Sequence, residues 1–188
     1  MDNKPKVETL IVNLYAGPGT GKSTTAAGLF YRLKKANINS EYIQEYAKDK
    51  AWQGDMFTLE CQPYITAKQL YRLHRVMGKC EVVITDSPLI QGLVYGSSFV
   101  DDNFKRWVVS TSNSMRTLDI FLQRDLQTHA YNPAGRSQSL EEAIKLDEEI
   151  YKLVDANLDH GKTIHKVSVG DDSYLNHIES LIRGKLKL

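Results

Sequence analysis

Residues 8–15, ETLIVNLY, form a mostly apolar run without strict alternation, the pattern of a parallel strand covered on both faces. The run opens directly into a glycine-rich segment, AGPGTGKST, and from Ser23 to about Lys35 the spacing becomes helical. Ala26, Ala27, Phe30, Tyr31 and Leu33 can share a broad face there, and Asn37 and Asn39 suit the exit. Ser40–Tyr46 reads as a second strand, and 59–77 as a helix closed by Gly78. Glu81–Thr85 (EVVIT) is a third strand, followed at once by Asp86, Ser87 and Pro88. A helix is expected over 102–115 and a fourth strand over Thr117–Gln123. The polar stretch RDLQTHAYNPAGRSQ has no periodicity and carries Pro133 and Gly135, so it reads as a loop. Ser139 with Glu142 is a capping-box pair for the next helix, which Gly161 is expected to close. Thr163–Val169 is a fifth strand, and Asp171–Asp172 can cap a last helix ending near Gly184.

Strands alternating with helices over the whole chain mean βαβ units and a parallel sheet with helices on both faces. No internal repeat, low-complexity tract or linker interrupts the pattern, so residues 1–188 are read as one α/β domain. Composition narrows the class. The chain is 41% hydrophobic and 25% charged, ordinary globular values that argue against disorder. With 24 Lys+Arg against 23 Asp+Glu the net charge is +1, which gives no general basic surface for nucleic acid. No apolar run is long enough for a membrane span, and the N-terminus MDNKPKVET has no signal-peptide core; a cytoplasmic protein without a membrane partner is expected. Cys61 and Cys80 form no CxxC or Cys/His cluster, which sets aside a disulfide scaffold and a structural zinc. The five histidines show no metal spacing; of them only His129, in the polar loop, is of interest for the site.

The sharpest chemical signal is Ala16-Gly17-Pro18-Gly19-Thr20-Gly21-Lys22-Ser23, which meets the phosphate-loop spacing with Ala16 in the first small position. Glycines allow a tight loop whose backbone N–H groups face phosphate oxygens, and the helix that follows adds its partial positive charge. The residues expected to bind the nucleotide are therefore Gly17, Gly19, Thr20, Gly21, Lys22, Ser23 and Thr24. Lys22 can bridge the β- and γ-phosphates of ATP, and Ser23 can place its hydroxyl on Mg²⁺. Asp86 ends the strand EVVITD and so belongs at the carboxyl edge of the sheet, where it can help hold the metal as well as cap a turn. Glu45 lies near the end of the second strand. If that strand neighbours the first, Glu45 and Asp86 both face the phosphate pocket, and Glu45 can accept a proton from an attacking hydroxyl.

Three features bear on where the γ-phosphate goes. The chain is too short for a motor core plus the helical lid domain of the AAA type. No guanine signature of the TKxD type occurs, AKDK at 47–50 having the wrong order. Residues 124–139 form a lid-like loop bearing Arg124 and Arg136, which can neutralise the transferring phosphoryl group and exclude water.

The order GPGTGKST, QEYAKD, VVITDSPL and then the arginine-bearing YNPAGRSQSLEEA resembles the small P-loop kinases of the nucleoside and nucleotide kinase group. Within that group it most resembles the nicotinamide-riboside-kinase-like domains and the phage-encoded kinases related to them, over essentially the whole chain. The resemblance implies a five-stranded parallel sheet ordered 2-3-1-4-5 with ATP·Mg²⁺ at its C-terminal edge. It also implies that Glu45 handles the acceptor hydroxyl, that Lys48 is the basic position soon after it, and that Asp86 is the metal-side acid. The chain departs from many nucleoside kinases in having Ser87 where they carry an arginine.

Segment 46–78 would build the acceptor pocket. Trp52, Phe57, Tyr64 and Tyr71 can stack on a base or simply belong to the core, and Gln62, Gln69 and Arg72 can read a base edge. The first reading is phosphorylation of a nucleoside, nucleotide or similar ribosyl small molecule. A second keeps the chemistry but takes a hydroxyl on nucleic acid, served by a local patch of Lys34, Lys35, Lys48 and Lys50. A third is a nucleotide-dependent binding module in which the lid is a switch element.

Overall fold

The computed structural model describes residues 7–96, 99–125, 139–171 and 173–188. Five strands, β1 (Leu10–Tyr15), β2 (Ser40–Ile43), β3 (Val82–Thr85), β4 (Thr117–Gln123) and β5 (Ile164–Ser168), make one parallel sheet in the order β2-β3-β1-β4-β5. This is the fold of the P-loop kinases, with the strand order the resemblance implies. Seven α-helices lie between and after the strands among the described residues: α1 (Lys22–Lys35), α2 (Tyr46–Trp52), α3 (Met56–Glu60), α4 (Gln62–His74), α5 (Asp102–Asn113), α6 (Leu140–Asn157) and α7 (Ser173–Leu186).

Alternate residues of the central strands supply the two sides of the core. Leu10, Val12 and Leu14 of β1 and Leu118, Ile120 and Leu122 of β4 face α1 and α7, packing with Leu29, Leu33, Ile178 and Ile182. On the other side Ile11 and Val83 meet Leu73 of α4 and Val108 of α5, while Tyr15 and Phe121 meet Ile150 and Val154 of α6. Both faces are covered, which is why β1 reads as a continuous apolar run.

Several expectations change. β2 stops at Ile43, where its pairing with β3 ends at Thr85; it lies beside β3, as the implied strand order has it, so the condition attached to Glu45, β2 next to β1, is not met. The chain then turns into α2, which takes in Tyr46 from the expected strand end and residues for which no element was expected. The single helix expected over 59–77 is two: Asp55 caps α3 by accepting the Thr58 N–H at 3.1 Å, and the chain restarts at Gln62. Pro63 is the cause, because inside an unbroken helix it would lack an N–H and press on the carbonyl four residues back. Ile90–Tyr95 forms a short 3₁₀ turn where no element was expected. On α1 the buried residues are Thr25, Ala26, Leu29 and Leu33, whereas Ala27 and Tyr31 are exposed. α6 begins with the expected capping box of Ser139 and Glu142 but ends at Asn157, and Gly161, at φ 99°, turns the chain into β5. Asp171 accepts the N–H of Ser173 at the start of α7, which runs to Leu186. Asn37, at φ 58°, makes the left-handed exit from α1. Both cysteines are free, and among the described residues no helix is long and apolar enough to cross a membrane.

Candidate active site

The site grows from the end of β1. Tyr15 is the last strand residue, and the loop 16–21 carries the chain from the buried strand to the first turn of α1. Gly19 and Gly21 adopt φ of 80° and 95°, backbone that a side chain would strain, and Gly21 forms the N-terminal boundary of the helix with its carbonyl accepting Thr25 N–H at 2.8 Å. Lys22 folds back over this loop, its Nζ donating to the carbonyls of Ala16 at 2.7 Å and Gly17 at 3.0 Å. Thr20 is buried and donates to the Gly17 carbonyl at 3.2 Å; Thr24 is exposed on the outer side of the first turn.

Asp86, one residue past β3, is 2% exposed and gathers three donors. Its Oδ2 accepts from the Ser23 hydroxyl at 2.6 Å and from the Tyr42 hydroxyl at 2.7 Å, and its Oδ1 accepts the backbone N–H of Glu45 at 3.1 Å. Thus Glu45 reaches the phosphate loop although β2 is not the neighbour of β1: the parallel order sets the ends of β2, β3 and β1 side by side, and Asp86 ties them. Burial, helped by the Asp86 charge, pushes the Glu45 carboxyl above its ordinary range, against the pull of Lys22. Burial also pushes the Lys22 ammonium down, while the carboxylates of Glu45, Asp86 and Asp147 push it back up. The Tyr42 phenol is driven well above its usual value by burial and by its bond to Asp86.

Arg124, immediately after β4, lies against the loop. Its Nη2 donates to the Pro18 carbonyl at 2.8 Å and its Nε to Asp147 Oδ2 at 3.0 Å. Arg136, the other arginine of the expected lid, and His129 lie outside the described residues, as does nearly all of the segment 124–139.

The expected acceptor segment divides. Trp52 and Phe57 are 73% and 87% exposed, and Tyr64 and Tyr71 are exposed as well, so none of the four belongs to the core. Gln69 is buried, accepting the N–H of Tyr46 at 3.0 Å and donating to Thr85 Oγ1 at 3.3 Å, and Gln62 is buried at the start of α4. The Gln69 amide is thereby held in the protein's own packing. Arg72 pairs with Asp49 at 2.5 Å, donates to the Gln44 carbonyl, and sets its guanidinium 5.0 Å from the centre of the Tyr46 ring, which meets Tyr64 edge-on at 6.0 Å. Of the proposed basic patch, Lys34 pairs with Glu41 and Lys50 with Asp55.

The oxygens of Ser23 and Asp86 suit Mg²⁺, which favours hard donors and completes its shell with water and substrate phosphates. Among the described residues no group of three or more His, Cys, Asp or Glu forms an all-protein cage. Three contributors escaped the sequence reading. Tyr42 and Asp147 look like ordinary strand and helix residues, and Gln91, whose Oε1 accepts the Ala16 N–H at 3.4 Å, sits in the unexpected 3₁₀ turn. Only Asp147 left a trace: glycine at position 17, where the phosphate-loop pattern accepts any residue.

A family model described as an AAA domain matches residues 11–172. That label is the one the length argument set aside for a motor core with a helical lid domain. Among solved structures, thymidylate kinase from Ehrlichia chaffeensis superposes with a TM-score of 0.59 at 12% identity, over 95% of this chain and 98% of that one. A protein designated APE1195 gives a TM-score of 0.44 at 20% identity, over 94% and 96%. No curated protein matches the sequence.

Proposed function

The chain belongs to the AAA domain family, and from that premise we propose that it is an ATP- and Mg²⁺-dependent kinase that phosphorylates a hydroxyl of a nucleoside, nucleotide or similar ribosyl small molecule. The observation that carries this reading is the convergence of Lys22, Ser23, Asp86 and Glu45 at one edge of the sheet. A phosphate loop alone serves hydrolysis as well as transfer. A half-buried carboxylate with a raised pKa beside the loop's lysine is what an attacking hydroxyl needs.

In the proposed reaction, loop N–H groups and Lys22 would bind the β- and γ-phosphates, and Ser23 and Asp86 would hold Mg²⁺, which would neutralise charge on the phosphate oxygens. The acceptor oxygen bonds to the γ-phosphorus as the bond to the β,γ-bridging oxygen breaks, and that electron pair leaves with ADP. The acceptor proton passes to a carboxylate oxygen of Glu45. Arg136 of the lid segment 124–139 would face the transferring group, with Arg124 at the lid's base. The acceptor would lie over α2–α4, beside Tyr46, Tyr64 and Arg72. The resemblance to nicotinamide-riboside-kinase-like and phage kinases puts ribosyl hydroxyls first among candidates, with the cytoplasm as the place of action.

The exposure of Trp52, Phe57 and Tyr71 favours a second reading, in which the acceptor hydroxyl belongs to a nucleic-acid end whose bases stack on these rings. Transfer of label from γ-labelled ATP with Mg²⁺ to nucleosides, nicotinamide riboside, mononucleotides, DNA and RNA separates the two. A labelled small product supports the first reading and label on polymer alone the second. Label released only as free phosphate, at one rate with every acceptor, refutes both and leaves a nucleotide-dependent switch.

A further inference from the structure

The glycine at position 17 has a physical cause. A Cβ there would lie 2.7 Å from the carbonyl oxygen of Ala143 and 2.7 Å from Oδ1 of Asp147, so the backbone of α6 itself presses on the phosphate loop. Only a residue without a side chain admits the helix this closely. The contact is also polar. Asp147 Oδ1 accepts the Gly17 N–H at 2.5 Å and lies 3.5 Å from the Thr20 hydroxyl, and its Oδ2 receives Arg124, which in turn holds the Pro18 carbonyl. The side chains of Arg124 and Asp147 are 9% and 14% exposed, so this pair is withdrawn from solvent.

An anionic side chain beside an anion-binding loop opposes the ligand unless it is neutralised and does something that outweighs the opposition. Arg124 neutralises it. What it does is fix the limb Gly17–Thr20 from outside the loop. Arg124 directly follows β4 and Asp147 lies in α6, so the pair ties two elements to the same limb.

We propose that Asp147 is a positioning residue of the phosphate loop: it holds the Gly17 amide and orients Arg124, and so fixes the loop that carries Lys22. The role in nucleotide binding rests on the kinase reading; the contact itself does not.

The test therefore has two arms on the full chain. The first follows amide hydrogen exchange of the Gly17 region without nucleotide, in wild type and in Asp147→Ala, alongside thermal unfolding. Protection of this region should fall in the variant while distant strands β2 and β3 exchange as before. Unchanged protection overturns the proposal whatever the enzyme does. The second arm measures ATP·Mg²⁺ binding. Asp147→Ala should weaken it by about tenfold, and Gly17→Ala, which forces α6 away, should do the same. Asp147→Asn keeps an acceptor for the Gly17 N–H and should recover part of the loss. Equal or tighter binding by Asp147→Ala overturns the proposal, because the carboxylate would then merely oppose phosphate. Absence of ATP binding in wild type refutes the kinase reading and leaves the first arm to decide the contact.

Discussion

The Ser23 hydroxyl donates to Oδ2 of Asp86 at 2.6 Å, joining the phosphate loop to the end of β3 across 63 residues of chain. Tyr42, on the edge strand β2, donates to the same oxygen at 2.7 Å. Tyr42→Phe removes this donor and little volume. Asp86 then keeps Ser23 and the Glu45 N–H but loses one of its three anchors. The Mg²⁺ concentration for half-maximal transfer should rise by about three- to tenfold, with a smaller change in kcat, consistent with the loss of one hydrogen bond to a charged group. A Mg²⁺ titration at saturating ATP checks this, and an unchanged midpoint would show that Tyr42 is mere packing.

Glu45→Gln keeps size and hydrogen-bonding capacity and removes the base. Transfer to the acceptor should fall by about 10²–10⁴-fold, the usual contribution of a positioned general base. ATP affinity should stay within a few-fold, because the Glu45 contact with Asp86 is made by its backbone N–H, which the substitution leaves in place. Single-turnover transfer and equilibrium ATP binding, measured on the same preparation, separate the two effects. Loss of ATP binding in a folded variant would remove Glu45 from the base role.

Much of this arrangement is legible in the sequence because local physics writes it there. The unalternated apolar run of β1, the glycines at left-handed φ and the capping box of α6 are each decided by neighbours in the chain. What the sequence hides is decided across it. The break between α3 and α4 needed Pro63 to be weighed against an otherwise continuous helical pattern. Tyr42 and Asp147 acquire their partners only once β2 lies beside β3 and α6 packs on the loop. Gln69 looks available from its sequence position, but tertiary packing commits it to Tyr46 and Thr85.

Asp119 of β4 offers a stability test remote from the chemistry. It is 2% exposed, and its oxygens accept from Asn13 Nδ2 at 2.8 Å, the Tyr15 hydroxyl at 3.1 Å and the Thr117 hydroxyl at 2.6 Å. Asp119→Ala leaves two buried donors and the half-buried Thr117 hydroxyl unmet and opens a small cavity, a loss of about 2–4 kcal/mol. Asp119→Asn keeps one acceptor oxygen and should cost less. Urea unfolding at neutral pH measures both, and an Asp119→Ala loss below about 1 kcal/mol would mean that water replaces the carboxylate.

The raised pKa of Glu45 makes the activity sensitive to charges around it, with signs that can be fixed in advance. Its chief cause is burial; Asp86 and Asp49 add to it, while Lys22 and Lys48 act against it. Because the folded protein holds this proton more tightly than the unfolded chain does, ionising Glu45 costs stability as pH rises through the folded pKa. Transfer, in contrast, needs the ionised base and should fail as pH drops through the same value, placing the acid limb of kcat/KM above the ordinary carboxylate range. Lys48→Gln removes a cation that favours the carboxylate, so the limb should move to higher pH. Asp49→Asn removes an anion that disfavours it and frees Arg72 from its ion pair, so the limb should move to lower pH. Neither side chain belongs to the phosphate loop, and ATP binding provides the control. Opposite displacements in the two pH–rate profiles identify the titrating group as Glu45; displacements of the same sign, or none, assign the limb to another group.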